Sequence, residues 1–261
     1  MAWVLDRDDS QLATVLELRP SLVSVSFGDF APHVNRLADA GISVTVQVGN
    51  VDEAIRAERA GADFIVARGA EAGGHGRNEI ATLPLLQAVL EAVRVPVVAA
   101  GGIATARGLA AVLAAGSAGA WVGTALLTTN EAGNSHAARE RLIAAHDGET
   151  VHGRVFDVAQ RIGWPAEFGG RSLRNAFYDR WHDHLDELAH DDTAAEQLAA
   201  AREMEDYDNA YLYAGQGVGL LTREQPVADV LTELARAEQL LQLVDLRRAP
   251  ADSDPRPGAP S

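Results

Sequence analysis

The feature that most constrains this chain is a pattern repeated through its first 129 residues: a short Val/Ile/Ala run, a Gly, an Ala-rich helical stretch, and another Gly before the next run. The apolar runs are Ala2 to Leu5, Leu22 to Phe27, Ser43 to Val48, Phe64 to Ala67, Val95 to Ala100 and Ala120 to Val122. Their starts lie roughly 20 to 30 residues apart, the spacing of compact strand–helix units. Ala40-Gly41, Ala60-Gly61 and Ala115-Gly116 precede three of the runs, and Gly at such a place can take the left-handed conformation that ends a helix. Strands joined by helical crossovers are parallel. The runs are also apolar nearly throughout instead of alternating, as strands covered on both faces are. Helices over Asp52 to Ala60, Pro84 to Val93 and Thr105 to Ala115 would supply that cover.

With 47% hydrophobic residues, the chain has enough apolar material for a core. It carries 22 Lys and Arg against 37 Asp and Glu, a formal net charge of −15, which disfavours nucleic acid or an anionic membrane as partner of the whole molecule. It has no Cys, so thiolate nucleophiles and thiolate-ligated metal centres are excluded; no metal site is expected. No apolar run approaches the ~20 residues of a membrane span, and the acidic start, with Asp6, Asp8 and Asp9, lacks the positive region of a signal peptide, so a cytoplasmic location is expected.

Beyond residue 130 the pattern changes. Residues 1–129 read as the parallel strand–helix units and 130–225 as a helical appendage with a lid loop. Residues 226–246 read as a final amphipathic helix, with Val227, Val230, Leu231, Leu234 and Leu241 on one face, and 247–261 as a disordered tail. Within the appendage a helix is expected around His136 to His146, an irregular segment around Gly163 to Gly170, and a polar helical stretch from Ser172 to about Glu205.

Strand after strand ends in Gly: Gly28, Gly49, Gly69, the pair Gly101-Gly102, and Gly123. The carboxyl ends of parallel strands are where α/β proteins bind ligands, and glycines gathered there expose backbone N–H groups. Gly101 and Gly102, followed by a helix, and then Gly123 with Thr124 one unit later, make a nest suited to a phosphate dianion. In Glu71-Ala72-Gly73-Gly74-His75-Gly76 a histidine sits among glycines at a strand's end, where an imidazole can face a cleft and take a proton from a carbon acid or hold an anion. Gly215-Gln216-Gly217-Val218-Gly219 lacks the surrounding βαβ unit of a dinucleotide fingerprint and reads as a loop closing over the ligand. His182-Asp183-His184 reads as solvated helix surface, because residues two apart do not share a helix face.

IVARGAEAGGHG, PVVAAGGIATARGLAAVLAAGSAGAWVGTALL with the following Glu131, SFGDF at 26–30, TVQVGNVDEA at 45–54 and the late AGQGVG together resemble the nitronate monooxygenase family, from about Leu5 to Val244. The resemblance implies an α/β fold of the (β/α)8 TIM-barrel type that uses FMN and O2 to oxidise alkyl nitronates to carbonyl compounds and nitrite. It makes His75 the active-site histidine and Gly73, Gly102, Val122, Gly123 and Thr124 flavin contacts, with Gly74 and Gly101 as their neighbours and Gln47 as a polar side chain near the flavin. Arg68 stands where the family usually has Gln, and Trp121 where a polar residue is common. Only six barrel strands can be counted against eight for closure, which points to an incomplete amino-terminal side and leaves apolar edges for a homo-oligomer to cover. Two other functions stay open: an FMN- and NAD(P)H-dependent enoyl reductase of the same superfamily, and a flavin-less remnant with a binding role.

Overall fold

The computed structural model describes residues 9–248, and their side chains through residue 243. Among the described residues, eight strands and twelve α-helices follow one another. The first part comprises α1 (Ser10–Leu18), β1 (Leu22–Ser26), α2 (Ala31–Asp39), β2 (Ser43–Val48), α3 (Val51–Arg59), β3 (Phe64–Arg68), β4 (Gly74–His75), α4 (Thr82–Ala92), β5 (Val97–Ala100), α5 (Ala106–Ala114) and β6 (Gly119–Trp121). The second comprises α6 (His136–Ile143), β7 (Thr150–Gly153), α7 (Val155–Ala159), β8 (Gly170–Leu173), α8 (Ala176–Trp181), α9 (Leu185–Leu188), α10 (Asp192–Glu203), α11 (Val227–Ala235) and α12 (Ala237–Arg248).

β1, β2, β3, β5 and β6 form one parallel sheet in that order, each strand paired with the next: Ser26 lies opposite Gln47, Gln47 opposite Val66, and Arg68 opposite Ala100. The expected punctuation holds. Gly41, Gly61 and Gly116 end the helices before β2, β3 and β6 with φ of 73°, 95° and 102°. α3 starts where Asn50 accepts from the Glu53 amide while the Glu53 carboxylate accepts from the Gly49 amide, a reciprocal cap. Thr105 caps α5 through the Gly108 amide. The strands bury Val44, Val46, Ile65, Ala67 and Ala99 completely, against Leu37, Ala54, Ala57, Leu85, Leu86 and Val89 of the helices.

Some expectations lie outside the described residues, and the chain departs from three others. The run Ala2 to Leu5 lies outside the described residues, so five of the six expected parallel strands are observed, in an open sheet. The appendage is not all helix: β7 and β8, with β4, make a second, antiparallel sheet in the order β4-β8-β7. The expected helical stretch from Ser172 is three short helices, α8, α9 and α10, and it begins only after β8. The final helix is broken at Arg236 into α11 and α12; Val230 and Leu234 are buried, whereas Leu231 is exposed. Residues 249–261, expected to form the tail, lie outside the described residues.

Candidate functional site

The carboxyl ends of four neighbouring strands converge on a cavity of about 300 Å³. Gln47 comes from β2, Arg68 from β3, Gly101 and Gly102 from the end of β5, and Trp121, Gly123 and Thr124 from β6 and beyond. Gly73 and Gly74 close it from the β4 side, and Tyr213 and Gly217 from the late loop. Seven of the eight residues expected to hold a cofactor therefore line one cavity. Val122 does not; its side chain packs against the apolar clusters on either side.

The glycines divide into two kinds. A Cβ on Gly73 would sit 2.6 Å from the backbone of Ala214 and Gly215, and one on Gly101 2.7 Å from the Thr82 hydroxyl, so both are needed for close packing. A Cβ on Gly123 or Gly74 would meet nothing within 4 Å, so both positions face open space, and at Gly123 the bare backbone is available to a guest. Gly101 and Gly102 are consecutive residues with positive φ, 113° and 71°, a turn that an L side chain strains to make. Among the described residues, no protein acceptor outside the strands takes the amides of Gly102, Gly123 or Thr124. The Thr124 hydroxyl accepts from the Gly215 amide at 2.9 Å, which keeps its own O–H free to donate. The late loop is fastened to the histidine loop by the Gln216 amide, which donates to the Glu71 carbonyl at 2.8 Å.

His75 is placed by contacts the sequence does not advertise. Its Nε2 lies 2.8 Å from Oδ1 of Asp157, a buried carboxylate on α7. Its ring stacks on Trp164 at 4.1 Å between centroids and 9° between planes, and Tyr213 lies 5.3 Å away. The imidazole is not part of the cavity lining; it adjoins the cavity through Gly74 in sequence and Tyr213 in space. A carboxylate accepts, so Nε2 is the donor in this contact, and Nδ1 is the ring nitrogen left for a guest. Desolvation, followed by the charge of Asp157, raises the Tyr213 phenol well above its usual range, which keeps it a neutral donor.

Two guanidiniums hold the histidine loop from beneath. Nη2 of Arg68 donates to the carbonyls of Ala72, Gly73 and Gly74 at 3.2, 3.0 and 2.9 Å. Arg171, on β8, donates from Nε to the Ala70 carbonyl, from Nη1 to the Thr150 hydroxyl and from Nη2 to Asn78. Burial, followed by the neighbouring charge of Arg171, lowers the Arg68 pKa to about 10. Asp157, Trp164, Tyr213 and Arg171 were not among the expected site residues; the one local sign was an Asp inside the otherwise apolar run Val155 to Ala159. His182 and His184 are exposed, as expected, but lie in the turn between α8 and α9 instead of on a helix.

An open parallel sheet with a glycine-lined cavity across its strand ends is an α/β flavin-oxidoreductase fold related to the TIM-barrel enzymes. The nitronate monooxygenase family model matches residues 3–237, and the chain belongs to that family. It is 35% identical to a nitronate monooxygenase of Pseudomonas aeruginosa over 247 residues, covering 87% of this chain and 66% of that protein. Among solved structures it resembles the nitroalkane oxidase of Streptomyces ansochromogenes, with a TM-score of 0.75 and 35% identity, covering 89% of this chain and 69% of that one. It also resembles FabK of Thermotoga maritima, with a TM-score of 0.80 and 26% identity, covering 95% and 77%. The chain spans 55% to 68% of the length of the first curated relatives it matches. No helix among the described residues is long and apolar enough to cross a membrane.

Proposed function

We propose that this chain binds FMN in the cavity and oxidises alkyl nitronates with O2, giving a carbonyl compound and nitrite. The observation that carries the reading is one cavity with free glycine amides along one side and a carboxylate-paired histidine adjoining it. The residues fit the cofactor that family membership implies. Gln47, Arg68, Gly101 and Gly123 stand on four adjacent strands, so the cavity runs across three strand spacings, about 14 Å, and suits an elongated ligand with one anionic end.

The amides of Gly102, Gly123 and Thr124, with the Thr124 O–H, would receive the phosphate; Gly73, Gly74 and Gln47 would flank the ring system. Bound FMN supplies the electron acceptance that no side chain here can provide. The protein positions and excludes. His75, with Nε2–H held by Asp157, presents Nδ1 to accept a proton from a neutral nitroalkane or, once protonated, to hold the nitronate anion. Trp164 keeps the imidazole plane from turning, and the late loop through Tyr213 and Gly217 covers the cavity from solvent.

The test is reconstitution with FMN followed by O2 uptake and nitrite release on addition of a nitronate. Bound flavin with neither response rejects the reaction, and bleaching of that flavin by NADH without O2 would favour an enoyl-reductase-type activity. His75→Asn is expected to keep the flavin and lose the nitrite.

A further inference from the structure

Arg68 is a positive charge with no negative partner among the described residues. The residue is 6% exposed and lines the cavity, yet among the described residues no carboxylate lies within ion-pair distance of it. Its three hydrogen bonds all go to uncharged carbonyls, and the nearest charge acting on it is a second cation, Arg171. Arg171 donates its hydrogen bonds only to neutral groups, on Ala70, Asn78 and Thr150, and the charge of Glu71 acts on Arg171, not on Arg68. Burying a guanidinium without a counter-charge is unfavourable, so such a site favours any anion that enters beside it.

The place of the charge says which anion. Arg68 ends β3, between Gln47 of β2 and Gly101 of β5, and the free amides of Gly123 and Thr124 are two strands away, about 10 Å. Gly102 stands one strand from Arg68, so the cation flanks the near side of the cradle, and the Gly123 and Thr124 end of it lies in a different part of the cavity. On the FMN reading, on which this inference rests, the end away from the phosphate is the ring system. Reduction adds two electrons and one proton to that neutral ring and leaves it a monoanion, the electrons coming from the nitronate.

We infer that Arg68 is a resident cation that makes the cavity hold reduced, anionic FMN more tightly than oxidised FMN. It does so while organising the histidine loop, so the same guanidinium couples the shape of residues 72–74 to the charge the cavity tolerates.

The experiment is a redox titration of the FMN-loaded protein with dithionite, with FMN affinity measured separately for the oxidised and reduced forms. The wild type should bind reduced FMN about tenfold tighter than oxidised FMN, which places the bound couple about 30 mV positive of free FMN. Arg68→Gln should erase that preference, while Arg68→Lys, which keeps the charge and loses the three-carbonyl fork, should retain it to within about twofold. A wild-type ratio of one overturns the inference with no variant needed. Equal loss of both redox forms in Arg68→Gln overturns it too, because it would place the charge on the phosphate. Failure of the wild type to bind FMN overturns the cofactor reading along with it, whereas FMN bound with no redox preference overturns only the role of Arg68.

Discussion

Gly123 and Gly73 both line the cavity, but an added methyl has opposite surroundings at the two sites, and that difference makes a controlled perturbation. At Gly123 the Cβ would meet no protein atom within 4 Å, and φ is −119°, open to any L residue. Gly123→Ala should therefore leave the apo protein's stability within about 0.5 kcal/mol of wild type, with a small gain from a stiffer unfolded chain as the other outcome consistent with the structure. The methyl instead takes space in the cavity where a phosphate would approach the amide. Losing one charge-assisted hydrogen bond to the cofactor costs about 1.5–3 kcal/mol, so the FMN dissociation constant should rise about ten- to a hundredfold.

At Gly73 the methyl would lie 2.6 Å from the Ala214 carbonyl carbon and the Gly215 nitrogen, both backbone atoms that cannot swing aside. Gly73→Ala should cost about 1–3 kcal/mol by overpacking, seen as a fall of about 2–4 °C in Tm per kcal/mol for a chain of this size, and should weaken FMN as well because the late loop is pushed off the histidine loop. Thermal unfolding of the apo proteins and flavin fluorescence quenching on titration measure the two effects separately. Wild-type FMN affinity in Gly123→Ala, or a loss of apo stability there as large as in Gly73→Ala, would refute the assignment of Gly123 to the cofactor.

Three further outcomes are expected. Asp157→Ala leaves the His75 Nε2–H unpaired in a nearly buried site and should cost about 1–3 kcal/mol in urea unfolding. It should lower nitronate turnover at least tenfold with FMN affinity unchanged, while Asp157→Asn, which keeps an acceptor, should recover most of the stability. Thr124→Val removes the acceptor of the Gly215 amide and should cost about 1 kcal/mol while weakening FMN more than riboflavin, which has no phosphate, in a paired titration. Burial holds the His152 pKa below its ordinary value against the hydrogen bond to the Gly76 carbonyl, so the unfolded chain takes up the proton first. The stability this residue contributes is complete above about pH 6.5 and is lost as pH falls towards the folded-state pKa. Urea midpoints at pH 7.5 and 5 should therefore differ less in His152→Gln than in wild type.

Much of the parallel sheet was legible because its physics is local. The apolar runs, three of them preceded by a helix-ending Gly, place β1, β2, β3, β5 and β6 to within two residues, and most cavity glycines follow from being at those strands' carboxyl ends. The second sheet was not legible, because β4 has two residues and β8 reads Gly-Arg-Ser-Leu, with no apolar periodicity. Its arginine is buried only because Ala70, Asn78 and Thr150, from 21 to 101 residues away, accept its hydrogen bonds. Gly169 and Gly170 looked like irregular loop for the same reason. A Cβ at 169 would lie 2.8 Å from the His152 ring and 3.0 Å from the Gly153 carbonyl, and one at 170 2.7 Å from the Tyr213 ring, so both glycines make room for close neighbours.

Asp157 lay beyond reach by a similar argument, since its partner is 82 residues distant and nothing near it in sequence marks a carboxylate that must be paired. That division follows function as well as physics. The strand ends that would cradle a cofactor belong to the repeated units, whereas what orients His75, namely Asp157, Trp164 and the β4–β8 pairing, comes from the irregular segment after them. A family that keeps the sheet and varies this segment can hold one cofactor while changing what the histidine meets. In this chain, variation in substrate preference should therefore map to residues 150–175 and 211–217, and variation in cofactor affinity to the strand ends at 47, 101–102 and 123–124.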